Sequence, residues 1–426
     1  MIGAGYAGLG TAIALAKKGN LVTIIDKDDD KVRRLSRGQS PVFERSLERE
    51  IHGLFKSGRV SASMETASIV RESVIVFLCV GTPSTDDGAL DTSQIQAASR
   101  EVGSGLRRKP RQLVVVRSTV VPGTSESVVI PLLESASGLR SGEFGVCVSP
   151  EFLREGRALE DSLRPSHIVV GQLDRASGDA FLRLYSSFRC PKFRTSIQVA
   201  EAVKYATNAF LATKVTFANE LANLCTRLGL DSDEVLRGMV MDPRISPHHL
   251  QPGVGFGGSC LPKDLRALVS FSRGRGYEPL LFDSVVTMNN RQHLEAVRLL
   301  EEEMGPLTGK KIALLGLSFK VGTDDVRESK ALAIASELRR RGARVVGYDP
   351  RAGENFGQAL PGTELARSAR AALQGADGCV IHSPWPEITR LKRGDFARMA
   401  SPVVVDARRT WTRDRVPKGI RYRRIG

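Results

Sequence analysis

The chain of 426 residues is 41% hydrophobic and 26% charged, the profile of a globular protein with room for two or three domains. No apolar run reaches the roughly 18 residues that cross a bilayer, and no basic-then-apolar leader precedes the first motif. The cytoplasm is therefore the expected location, with no membrane partner. The formal net charge of +15 raises nucleic-acid binding, but the basic residues are scattered. Short clusters such as Arg107-Arg108-Lys109 and Arg339-Arg340-Arg341 lack a basic tail or interleaved aromatics, which argues against nucleic acid and for small anionic ligands.

The first region, residues 1–196, alternates apolar runs at 21–26, 74–80, 113–117 and 145–148 with helical stretches. That alternation predicts a parallel sheet with crossover helices. The chain opens Met1-Ile2-Gly3-Ala4-Gly5-Tyr6-Ala7-Gly8, a G-x-G-x-x-G pattern running into a helical stretch at 9–18. The glycines permit a tight turn, let a pyrophosphate approach the backbone, and let helix and strand pack closely. The strand that follows ends in Asp26. An acid at that spacing accepts hydrogen bonds from ribose hydroxyls and repels a 2′-phosphate, which favours NAD over NADP; the nearby Lys31 tempers that preference. Only Met1 and Ile2 precede the glycines, whereas a first strand spans roughly five residues. A shortened first strand that weakens the cofactor site is expected, and a start upstream of Met1 would restore it.

The second region, residues 197–304, reads as mostly helical. Its opening stretch, 199–228, contains no Gly or Pro and spaces its apolar residues as a helix does. The third region, residues 305–426, begins near the Lys310-Lys311 pair and returns to alternation, with apolar runs at 312–315, 345–348, 378–382 and 403–406. The fold class expected is α/β: two doubly wound, Rossmann-like parallel-sheet domains joined by a long central helix and a helical middle region.

The six cysteines form no C-x-x-C pair, so their spacing argues against a structural zinc site. Cys79, Cys147 and Cys379 lie in strand-like runs and suit small buried hydrophobes. Cys260 differs. The segment from Gly253 to Asp264 reads G-V-G-F-G-G-S-C-L-P-K-D. Pro262 marks the first position of a helix, which sets Cys260 at a helix N-terminus where partial positive charge stabilises a thiolate. Lys263 adds to that charge, Asp264 lies one turn on, and the glycines let backbone approach a ligand. This pattern points to a reactive thiol.

Further motifs extend the picture: Cys79-Val80-Gly81-Thr82-Pro83, Arg117-Ser118-Thr119 with Pro122-Gly123-Thr124, and Pro150-Glu151-Phe152-Leu153-Arg154-Glu155-Gly156. Glu201-Ala202-Val203-Lys204-Tyr205 through Asn208, Asn219-Glu220, Gly316-Leu317-Ser318-Phe319-Lys320 and Thr323-Asp324-Asp325-Val326-Arg327-Glu328-Ser329 follow. In this order, and with the Cys260 segment, they resemble the UDP-glucose/GDP-mannose dehydrogenase family over nearly the whole chain. The resemblance implies a four-electron oxidation of a sugar C6 alcohol to a carboxylate with two NAD. The thiolate of Cys260 would hold the aldehyde level as a thiohemiacetal and then a thioester, which water hydrolyses. It also implies site roles. Lys204 and Asn208 would act around the oxyanion and the reacting oxygen, Asp264 with Thr119 would place and activate water, and Glu151 would be the base for thioester hydrolysis. Glu155 would lie between water and cofactor. Gly3, Gly5, Tyr6, Ala7, Gly8, Asp26, Lys31, Val80, Gly81, Thr82, Pro83, Ser118, Thr119, Lys263 and Arg327 fall in the implied cofactor site.

For the nucleotide sugar, the resemblance implies backbone contacts from Phe152 and Leu153, packing against Gly257, and charge from Lys320 and Arg408. Arg244 would enter a neighbouring subunit's site, so a homodimer or higher homo-oligomer is implied. The family often carries an aromatic residue where His249 stands and in some members a lysine where Gln251 stands; His249 is read as substrate-proximal or a surface residue. No third ligand accompanies the His248-His249 pair, so no metal is expected. UDP-glucose is the leading substrate and GDP-mannose the alternative, whereas UDP-N-acetyl sugars fit less well because the corresponding cysteine segment has His before Cys. A two-electron hydroxyacid dehydrogenase would not need Cys260. A non-catalytic nucleotide- or nucleic-acid-binding protein would not need Lys204, Asn208, Cys260 and Asp264 together.

Overall fold

The computed structural model describes residues 1–108, 111–412 and 415–426; Lys109 of the first basic cluster lies outside them. The chain divides into two units, Met1–Thr207 and Asn208–Gly426. The division falls within a single helix, Ile197–Leu228, whose freedom from Gly and Pro lets it run for 32 residues.

In the first unit the strands are β1 (Val22–Ile25), β2 (Val60–Ser63), β3 (Ile75–Leu78), β4 (Leu113–Val116), β5 (Gly145–Val148), β6 (Ile168–Gln172) and β7 (Lys192–Ser196). The strands β2 and β1 pair parallel, and β3 to β7 form a five-stranded sheet in sequence order. Ile2 joins the two parts, bridging to Ile25 on one side and Leu78 on the other. Its N–H donates to the Phe77 carbonyl at 2.8 Å, its carbonyl accepts from Cys79 N–H at 2.8 Å, and Gly3 N–H donates to the Ile25 carbonyl at 2.7 Å. The short opening expected from the sequence therefore still occupies the central strand position. Counting Ile2 as the first strand, the spatial order is 3-2-1-4-5-6, the dinucleotide-binding topology.

One departure from an all-parallel sheet follows. β6 runs antiparallel to β5. The link between them, which includes the short helix Ala158–Leu163, leaves and re-enters at the same end of the sheet, because antiparallel neighbours need no crossover to the far end. This keeps residues 149–167 at the carboxyl edge of the strands, where doubly wound sheets bind ligands.

The second unit opens with helices and continues as a sheet. The helices Ser232–Met239, Leu261–Gly274, Leu280–Arg291 and Leu294–Met304 follow the long one. The sheet comprises β8 (Lys311–Leu315), β9 (Arg344–Tyr348), β10 (Glu364–Leu365), β11 (Gly378–Ile381), β12 (Val403–Asp406) and β13 (Arg421–Arg424). Its order is β10-β9-β8-β11-β12-β13, all parallel, again 3-2-1-4-5-6. A core of fully buried residues including Leu314, Ile334, Phe356, Val380 and Val405 fills the space between this sheet and its helices.

The apolar runs of the sequence mark β1, β3, β4, β5, β8, β9, β11 and β12 but not the buried β6; β7 and β13 read Lys-Phe-Arg-Thr-Ser and Arg-Tyr-Arg-Arg and carry no such signal. Both stand at sheet edges, where charged side chains discourage pairing with other chains. Leu314 is completely buried, so Leu314→Ala should cost about 2–5 kcal/mol. Leu21 is 78% exposed, and Leu21→Ala should shift stability by less than about 0.5 kcal/mol. Denaturant unfolding of the two variants checks the contrast.

Candidate active site

The glycine loop shows which of its glycines serve the fold and which leave space. Gly3 has φ +108°, and a Cβ there would stand 2.6 Å from the Cys79 carbonyl oxygen; a Cβ on Gly8 would stand 2.0 Å from the Gly3 oxygen. Both are fixed by packing. Gly5 has neither a positive φ nor any atom within 4 Å of its Cβ position. It is the N-cap of the helix Tyr6–Lys17, whose first turn carries no acidic residue. Open space in front of a helix N-terminus, where N–H groups lack intrahelical partners, suits a pyrophosphate. Asp26 stands at the end of β1. Its Oδ2 accepts from Ala4 N–H at 2.8 Å and its Oδ1 from Asp28 N–H at 3.0 Å, and Lys31 Nζ lies 3.6 Å away. The carboxylate thus ties strand to glycine loop and keeps lone pairs for a ribose. The Tyr6 hydroxyl donates to the Phe43 carbonyl at 3.2 Å. The residues present fit a dinucleotide.

Two further segments of the implied cofactor site meet. The Ser118 hydroxyl donates to the Val80 carbonyl at 2.7 Å, and the Thr82 hydroxyl to the Thr119 carbonyl at 2.7 Å. These bonds lock the turn holding Val80, Gly81, Thr82 and Pro83 to the end of β4.

Lys204 is 4% exposed, and its Nζ pairs with Glu151 Oε1 at 3.1 Å. Burial alone would raise the Glu151 pKa. The Lys204 ammonium, the Leu153 N–H at 2.5 Å and the Arg117 charge outweigh it, so the carboxyl is held below its ordinary value of 4.5. Glu151 is therefore a carboxylate near neutrality. The same ammonium sits 5.4 Å from the Phe152 ring centroid, and that ring packs against His167 at 4.4 Å with the planes tilted by 41°. Glu155 follows in the same loop.

In the second unit Cys260 is the N-cap of the helix Leu261–Gly274. The helix starts one residue earlier than Pro262 implied, so the proline takes the second position; the Cys260 carbonyl accepts the first intrahelical bond, from Asp264 N–H at 2.9 Å. The Cys260 sulfur lies 3.5 Å from the Ser259 hydroxyl. Buried Asp264 is gripped on both oxygens, by Asn208 Nδ2 at 2.6 Å and Lys263 Nζ at 2.6 Å. The long helix thus carries Lys204 near its start and, one turn on, Asn208 bound to the carboxylate beside the cysteine.

Three buried amides that the sequence reading did not assign hold the cysteine loop. Asn289 Oδ1 accepts from Phe256 N–H at 2.8 Å and its Nδ2 donates to the Phe256 carbonyl at 3.1 Å. Asn219 accepts from Gly253 N–H at 2.8 Å, and Gln292 donates to the Gly253 carbonyl at 2.9 Å. Asn289 and Gln292, three apart on one face of a helix, were the available signal. Gly257 and Gly258 let this loop press on the third-region motif. Their Cβ positions would fall 2.3 Å from the Glu328 carbonyl oxygen and 2.6 Å from the Phe319 ring, and Gly258 N–H donates to the Arg327 carbonyl at 3.2 Å.

Arg408 follows β12, its Cδ 3.6 Å from the Cβ position of Gly253; burial lowers its pKa to about 10, which leaves it protonated at neutral pH. The Lys320 ammonium lies over the Phe319 ring at 5.3 Å. Arg327 forms a bidentate pair with Asp325, with bonds of 2.7–3.0 Å. Arg244 is 86% exposed and paired with Asp242, and His249 is exposed with φ +64°. A further unassigned residue, Asp349 after β9, accepts from Leu317 N–H at 2.7 Å, Ser318 N–H at 3.0 Å and the Trp385 indole at 3.0 Å. It ties the loop after β8 just as Asp26 ties the glycine loop.

Three segments match models of the UDP-glucose/GDP-mannose dehydrogenase family: residues 1–189 its NAD binding domain, 198–291 its central domain and 313–413 its UDP binding domain. The chain is 41% identical to the UDP-glucose 6-dehydrogenase AglM of Haloferax volcanii, over 97% of each chain. It is also 41% identical to a GDP-mannose 6-dehydrogenase of Pseudomonas putida, over 82% of this chain and 80% of the other. A solved UDP-glucose dehydrogenase from Pyrobaculum islandicum superposes with a TM-score of 0.93 at 38% identity, covering 100% of this chain and 96% of that one.

Asn289→Leu leaves the Phe256 amide groups without partners and should cost about 1–3 kcal/mol, while the exposed neighbour Asn290→Leu should change stability little; thermal unfolding separates them. The Glu151–Lys204 pair sets a pH dependence. Because the folded pKa of Glu151 lies below 4.5, its stabilisation is present above that value and is lost as pH falls through the folded pKa. Glu151→Gln should flatten that part of the stability–pH curve between pH 5 and 3, and an unchanged curve would refute the assignment.

Proposed function

We propose that this chain, which belongs to the UDP-glucose/GDP-mannose dehydrogenase family, oxidises UDP-glucose to UDP-glucuronate through a covalent intermediate on Cys260. The observation that carries the reading is Cys260 capping a helix whose first turn presents Asp264, held by Asn208 and Lys263. A simple two-electron dehydrogenase has no use for a thiol in that setting.

The groups divide the work as follows. NAD, held at the glycine loop, would supply the hydride acceptor for the two oxidations. Water placed by Asp264 takes the alcohol proton, and Lys204, whose ammonium lies in a buried, low-dielectric setting, stabilises the alkoxide left behind and later the oxyanion, with the Asn208 amide as a second donor. The Cys260 thiolate, favoured at the helix N-terminus, adds to the aldehyde carbon and forms the thiohemiacetal. Loss of the second hydride from that carbon gives the thioester. Water, placed by Asp264 with Thr119 and deprotonated by the Glu151 carboxylate, adds to the thioester carbonyl. The C–S bond breaks, the thiolate leaves, and the carboxylate is released. Phe152, Leu153, Gly257, Lys320 and Arg408 contact the nucleotide sugar. Gly3, Gly5, Gly8, Asp26, Thr82, Ser118, Glu155 and Arg327 belong to the cofactor's surroundings.

We further assign a homodimer that buries the long helix. Phe210, Phe217 and Leu224, spaced seven apart, are all about half exposed or more, and Leu228 continues the row. A stripe of that period seeks a partner helix. Arg244, exposed and paired with Asp242, would serve a neighbouring subunit. GDP-mannose stays as the second substrate reading, supported by the equal identity to the GDP-mannose relative.

Cys260→Ser should abolish turnover of UDP-glucose, and release of glucuronate at the wild-type rate would sink the covalent route. The wild-type enzyme should form two NADH per sugar; one NADH with free aldehyde as product would favour the two-electron alternative. Parallel assays with UDP-glucose, GDP-mannose and UDP-N-acetyl sugars settle the substrate. Phe217→Ser combined with Leu224→Ser should shift light scattering towards a monomer, and a fully active wild-type monomer would refute the dimer.

A further inference from the structure

We propose that the first unit carries a binding site for a small oxyanion, a phosphate or a carboxylate, in a cavity of about 290 Å³ beneath the loop that bears Glu151. Thr11 from the helix Tyr6–Lys17 and Ser162 from the helix Ala158–Leu163 line it, 2% and 7% exposed. Neither hydroxyl has a hydrogen-bond partner, and Arg117 Nε, also on the lining, has none. Buried donors in a folded protein are almost always satisfied, and three orphaned ones belong to residues of this one lining.

Charge selects the occupant. Arg117, Arg154 and Arg164 line the cavity against one carboxylate, Asp161. Asp161 is consumed by Arg154, which reaches it through Nη2 at 2.6 Å, Nε at 3.0 Å and its backbone N–H at 2.9 Å. Glu151, which feels the Arg117 charge, is paired with Lys204. Two guanidiniums are left without a counter-charge in the lining. Arg154 and Arg164 are exposed at the mouth, while Thr11, Ser162 and Ser149 form a buried floor. One water needs roughly 10–15 Å³ in such a cavity, so the space holds many waters or a solute. Water satisfies the hydroxyls but not the charge. The volume is at the lower end for ligand pockets, about 300 Å³, which suits a phosphate or short dicarboxylate.

The position couples the cavity to Lys204. Phe152 and His167 both line it, their rings are in tilted contact, and the Lys204 ammonium lies on the Phe152 ring. An occupant that moves His167 moves the ring beneath the ammonium.

The test is calorimetric titration of inorganic phosphate, and separately of malonate, at fixed ionic strength into protein saturated with NADH and UDP, so that the phosphate sites of those ligands are filled. One equivalent should bind, and Arg164→Gln, an exposed position tolerant of change, should weaken it at least tenfold. Thr11→Val with Ser162→Ala should do the same. The stronger of the two anions identifies the ligand class. No binding heat, or equal affinity in wild type and Arg164→Gln, overturns the site and leaves a water-filled cavity. The ligand should also change kcat at least twofold in the wild type but not in Arg164→Gln; an unchanged kcat at saturating ligand overturns the coupling. The binding arm needs no turnover, so it stands apart from the substrate assignment.

Discussion

The backbone of Met1, Ile2 and Gly3 joins the two parts of the N-terminal sheet. Ile2 bonds to Phe77 and Cys79 on one side, while the Met1 carbonyl and the Gly3 N–H bond to Ile25 on the other, and the chain then turns into the glycine loop. Parallel strands share their carboxyl edge, so wherever the central strand ends, the cofactor loop begins. Neighbours on both sides of Ile2 fix that point. Gly3 then takes a positive φ that side chains resist, and Asp26 clamps the loop from the adjoining strand.

The same construction recurs in the second unit with different chemistry. The sheet has the same strand order, and Asp349 clamps the loop after β8 as Asp26 clamps the loop after the first strand. The clamp is a carboxylate accepting backbone N–H groups, a strong charge-assisted bond. Around it the motif of residues 319–328 presses on the cysteine loop through glycines that admit no side chain.

The loop that carries Cys260 is held from beneath. The glycines that let the loop approach a ligand also make it costly to order. Asn219, Asn289 and Gln292 offset this by bonding the loop backbone from buried helices. Asp264 is likewise fixed on both oxygens. Lys204 and Glu151 form a buried pair, and the ammonium holds the Glu151 carboxyl below its ordinary value.

Sequence alone determined the alternation of apolar runs, the long helix, the glycine loop with its acid, and the cysteine before a helix. Those features are local: periodicity, helix breakers and glycine requirements act within a few residues. It also carried the ordered motifs that mark the family. Only the tertiary structure decided the rest. The antiparallel turn of β6, the polar edge strands β7 and β13, and the clamp by Asp349 depend on neighbours distant in the chain. So do the amides beneath the cysteine loop, because a buried Asn and an exposed Asn look alike in sequence until the backbone groups they satisfy are in place. The cavity beneath the Glu151 loop belongs to the same class. Its donors come from Thr11, Arg117 and Ser162, and only packing reveals that nothing in the protein satisfies them.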